Sequence, residues 1–115
     1  MKKTNASKSS QKVILENIAE KINKSLEIFN AGSEENEYYH RAFIENDVVK
    51  VVPDEKTNFF SGAVMETIMK TIEAYRKKYD NLIWGVDTTP VMKHDLKGEI
   101  YWLHAPQISI NFYRE

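Results

Sequence analysis

Twice in this chain, apolar residues return at three- and four-residue steps over about twenty positions, and any fold it adopts must bury both stripes. The first comprises Val13, Leu15, Ile18, Ile22, Leu26 and Phe29; the second comprises Phe60, Val64, Ile68, Ile72, Tyr75 and Tyr79, widened by Met65 and Met69. Such steps keep side chains on one face of a helix with 3.6 residues per turn. Helices are therefore expected over residues 10–31 and 59–79. Ser9 or Ser10 can cap the first and Thr57 or Asn58 the second, and Gly32 stands where a left-handed residue ends a helix. Arg76, Lys77 and Lys78 place positive charge at the negative end of the second helix dipole.

The remaining segments have strand character. YYHRAFI and VVKVV flank Glu45-Asn46-Asp47, and Asn-Asp tolerates the positive φ that a primed turn demands, so residues 38–52 are expected as a hairpin. Pro53 ends it by removing an amide donor. LIWGV suits an interior strand, broken by Pro90 from a short piece at 91–94. The turn chemistry of Asp95-Leu96-Lys97-Gly98 leads into EIYWLH, Ala105-Pro106 interrupts again, and QISINFY alternates apolar with polar residues as a half-buried strand does. The expected fold is α+β. Two amphipathic helices pack on one face of an antiparallel or mixed sheet of about five strands, in the order α-β-β-α-β-β-β.

Length and charge bound the rest. At 115 residues the chain suits one domain, expected over residues 10–115, with a lysine- and serine-rich disordered tail over residues 1–9. Sixteen basic against 17 acidic residues leave no excess for displacing counterions from phosphates, so nucleic acid is not the expected partner. No cysteine is present, which excludes disulfides and thiolate metal sites and suits a reducing cytoplasm. The lysines near the start are not followed by the apolar run of a signal peptide, and no apolar stretch approaches the ~20 residues of a membrane span.

Titratable groups cluster only in the last third: Asp87, His94, Asp95, Glu99 and His104. Carboxylates and imidazoles suit divalent ions, and Asp87, Glu99 and His104 are the candidate catalytic set of a small metal-dependent hydrolase or nuclease. No recognised ligand spacing joins them, and turn chemistry, with Asp95 capping amides and His94 exposed beside it, is the preferred account, so no metal or other cofactor is assigned. No phosphate-binding glycine loop and no nucleophile elbow is present.

Aromatic residues point elsewhere. Tyr38, Tyr39, His40 and Arg41 combine rings with a cation, as binding hot spots do, although strand propensity also explains tyrosines there. Tyr101 and Trp102 are neighbours on a strand and face opposite ways, so one ring of the pair lies off the core. Tyr113 joins the candidate partner-binding set. The last strand is either an edge open to strand addition or the centre of the sheet beside the 38–52 hairpin.

The reading that follows is a non-catalytic interaction protein that binds itself or another protein through its sheet. The alternatives are the metal-dependent hydrolase and, by fold-level analogy, a phage-type structural subunit or a ligand-sequestering inhibitor from a mobile element.

Overall fold

The computed structural model describes residues 5–30, 39–55 and 57–113. Two helices and four strands follow one another as α1 (Lys8–Asn30), β1 (Arg41–Glu45), β2 (Val48–Val52), α2 (Gly62–Arg76), β3 (Leu82–His94) and β4 (Ile100–Phe112). The strands form one antiparallel sheet in the order β1-β2-β4-β3. The final strand is thus central, and β1 and β3 are the edges.

Both apolar stripes fall largely in helices, although Val13 and Phe29 at the ends of the first are exposed and Phe60 and Tyr79 of the second lie outside α2. Along α1, Ile18, Ile22 and Leu26 are fully buried; along α2, Ile68 and Ile72 are, and all five meet Val49, Val51, Ile108 and Ile110 of the sheet in one core. Each such aliphatic side chain contributes roughly 1.5–3 kcal/mol by leaving water. The second helix runs from Gly62 to Arg76 and not over residues 59–79, because Ser61 is extended, φ −69° and ψ 163°, as an N-cap residue is. Its cap is Ser61, whose side chain accepts from the Val64 amide at 3.2 Å, in place of the expected Thr57 or Asn58. Gly32 and Tyr38 lie outside the described residues. Of the segment expected as a tail, residues 5–9 are described: Ala6 is buried, its backbone is held by the Asn81 side chain through bonds of 2.9 and 3.1 Å, and the helix starts at Lys8.

The hairpin of β1 and β2 closes on Asn46 and Asp47, both at positive φ, in keeping with a primed turn. The five expected strands are four, because two prolines taken as breaks are not. Pro90 pairs with His104 and Pro106 with Thr88 inside an uninterrupted ladder running from Leu82↔Phe112 to His94↔Ile100. The two pairs are two residues apart and so occupy the same class of ladder position. An unbroken ladder requires that class to be the one in which neither residue bonds its partner, so both proline nitrogens turn away from the β3–β4 interface. On β3 that direction is the open edge; on β4 it is the side of β2, just past the last pair Val51↔Ile108.

A consequence is length. The β3–β4 hairpin is 13 residues on each strand, whereas β2 pairs only with residues 108–110 of β4, so about two thirds of the hairpin runs on as a two-stranded arm. The molecule extends 56 Å along its longest axis and 22 Å along its shortest.

Candidate functional site

The arm's two faces are set by strand alternation. Even-numbered residues of β3 and β4 share the face of Ile108, Ile110 and Leu82, on which the helices pack; odd-numbered residues lie on the reverse. The reverse side of the arm is engaged by the chain itself. Lys93 donates from Nζ to the Glu55 carbonyl at 2.7 Å, tying the arm to the connection after β2, and Ala105 is only 3% exposed. Arg41 of β1 approaches the Glu55 carboxylate at 4.0 Å from the same region.

Beyond the helices, the even face has no such cover. Val86 is 57%, Met92 49%, Ile100 58% and Trp102 65% exposed, with Met92 and Trp102 paired directly across the ladder. None of the even-numbered residues at 86–94 and 100–106 is Lys, Arg, Asp or Glu, in a chain that is 29% charged. Large apolar groups gathered on an uncharged surface are characteristic of contact sites. The ring expected on the face away from the core is Tyr101; Trp102 lies on the helix-bearing side but beyond the helices' reach, so both rings are outside the core.

The candidate catalytic residues do not converge. Asp87 and His104 occupy opposite faces of the arm, and Glu99 stands at the tip beside the turn. Their local bonds are those of turns and caps: Asp87 accepts from the Thr88 amide at 2.8 Å, and Asp95 accepts from the amides of Lys97 and Glu99 at 2.8 Å each. Among the described residues, no group of three or more His, Asp or Glu is placed to hold a metal ion.

The candidate partner-binding residues are likewise spread out. Tyr101 and Tyr113 are separated by twelve residues of extended chain, about 40 Å. Tyr113 lines an open polar groove of about 850 Å³ beside Lys8, Lys12 and Asn81. Tyr39 and His40 are half-buried at the start of β1, where the His40 ring stacks on Phe60 at 6.1 Å and its Nδ1 accepts from the Asp54 amide at 3.0 Å. Burial pushes the His40 pKa below its ordinary value, partly opposed by the charge of Asp54. Arg41 is exposed and lies over Phe43 at 5.7 Å. Val86, Met92 and Ile100 were not singled out from the sequence, because their common face becomes readable only once Pro90 is known to continue the strand.

Neither edge of the sheet is left plain. On β1, the Asn23 side chain of α1 accepts from the Ala42 amide at 2.7 Å and donates to the Ala42 carbonyl at 2.9 Å, and Asn30 donates to the His40 carbonyl at 3.1 Å. These bonds occupy edge groups that an incoming strand would use. On β3, Pro90 lacks the donor and the Thr88 amide is engaged by Asp87. No helix among the described residues is long and apolar enough to cross a membrane. No protein-family model, curated protein or solved structure matches the chain.

Proposed function

We propose that this chain is a non-catalytic interaction protein that engages a protein partner, itself or another, through its sheet, with the β3–β4 arm as the contact element. One observation carries the reading: the arm projects past the helices with Trp102, Met92, Ile100 and Val86 in water on a face without formal charge. Leaving such side chains exposed forgoes the largest stabilising term available to a small domain, and covering them restores it. An exposed apolar surface that includes a tryptophan, with Met92 across from it and Ile100 beside it, is also the composition of a binding hot spot.

The test is co-precipitation of a tagged chain with its untagged copy and with proteins of its host, for the parent and for Trp102→Asp. The reading predicts that a captured protein is retained by the parent and lost by the variant, with thermal stability unchanged because residue 102 is outside the core. Equal retention by both proteins contradicts a contact through the arm.

A further inference from the structure

We infer that the arm's partner is a second copy of this chain, seated face to face on the even-numbered side of β3 and β4 around a two-fold axis; this rests on the interaction reading above. Three observations lead there. First, the edges are guarded, by Asn23 and Asn30 on β1 and by Pro90 and the Asp87 carboxylate on β3, so the sheet is not built to grow by strand addition. What associates must do so through a face. Second, the reverse face of the arm is partly engaged by the chain itself, through Lys93 and its bond to the Glu55 carbonyl and through buried Ala105, whereas the even face carries the larger exposed apolar groups.

Third, that face carries no Lys, Arg, Asp or Glu over residues 86–94 and 100–106, its titratable groups being His94 and His104. Complementary fixed charge helps to select a foreign partner, and this surface offers none for it. A two-fold contact instead sets each patch against its own likeness, where any cluster of one sign would repel itself. An uncharged apolar patch meets that requirement, and interfaces between identical subunits are the more apolar kind. Two strands about 4.8 Å apart and ~27 Å long present a ribbon about 10 Å wide, roughly 270 Å² of face per copy. The total of about 540 Å² is below a standard interface, which corresponds to a weak, rapidly reversible dimer.

Sedimentation equilibrium of the full chain across micromolar to millimolar concentration tests this, with Trp102→Asp and Tyr101→Asp compared. The two rings are neighbours and both exposed, 65% and 47%, but lie on opposite faces, so the pair is its own control. The inference predicts a parent that passes from the 13.4 kDa monomer to twice that mass. Its dissociation constant should rise at least ~30-fold in Trp102→Asp and stay within about threefold in Tyr101→Asp. Far-UV circular dichroism confirms that each variant is folded. A parent that remains monomeric at millimolar concentration overturns self-association; if Trp102→Asp still abolishes capture of another host protein, the interaction reading survives that failure. A dimer weakened equally by both variants, or only by Tyr101→Asp, overturns the choice of face.

Discussion

His40 stands where the fold requires a neutral ring. Its Nδ1 receives the Asp54 amide, an arrangement open only to an unprotonated nitrogen, and its ring lies on Phe60, away from part of its water. Burial lowers its pKa below the ordinary value of about 6.5, with Asp54 pulling the other way. The sign of the effect is fixed by this direction. Between the lowered folded value and the unfolded value, the unfolded chain binds more protons, so stability increases with pH there. The contribution of His40 is complete above about pH 6.5 and is lost as pH falls through the folded value. Urea unfolding at a series of pH values from 7.5 to 5 checks this. The parent loses stability over that range, and His40→Asn, whose amide oxygen accepts the same bond without titrating, loses less. Identical pH profiles for the two proteins would remove His40 from the account.

At the scale of elements, side chains from outside the sheet hold its margins. Asn23 mimics a strand, satisfying both the amide and the carbonyl of Ala42 on the outer side of β1. Ala42 is buried, so Asn23→Ala strands a donor and an acceptor at a site with little water. The expected loss is about 1–3 kcal/mol, read as a lower urea midpoint at unchanged slope. Lys93 does for the arm what Asn23 does for the edge. Lys93→Met keeps the aliphatic stem but removes the bond to the Glu55 carbonyl; hydrogen exchange should accelerate at backbone amides of residues 87–104 and stay unchanged at residues 108–112, which the core holds.

These elements show what was legible in the sequence. The helices were, because a stripe such as Ile18, Ile22 and Leu26 reports its own face through local spacing alone. So was the β1–β2 hairpin, since Asn46-Asp47 announces positive φ. Pro90 and Pro106 misled because a proline forbids only a bond toward a partner, and which way its nitrogen turns depends on strand order and register. That one uncertainty hid the length of β3 and β4, and with it the face shared by Val86, Met92, Ile100 and Trp102. Asn23 carried no signal at all. A polar residue on the outer flank of an amphipathic helix reads the same whether it meets water or a strand 19 residues away.

As a whole molecule, the chain divides its apolar surface between two destinations. One is the core, where two helices meet the broad end of the sheet. The other is the arm, where the same sheet face continues past the helices and stays in water. The division explains how a chain with a fully buried set of isoleucines and leucines also leaves its Trp102 ring 65% exposed. Covering the arm in a dimer would join the two destinations across a two-fold axis. Trp102 reports this directly in Trp84→Phe, a conservative change beside the core that leaves Trp102 as the lone tryptophan. Acrylamide quenching of its fluorescence, measured as the protein is diluted from millimolar to sub-micromolar concentration, is the decisive measurement. The account predicts that the ring is shielded at high concentration and becomes freely quenched on dilution, along the same curve as the loss of dimer mass. A ring quenched equally well at every concentration would contradict it.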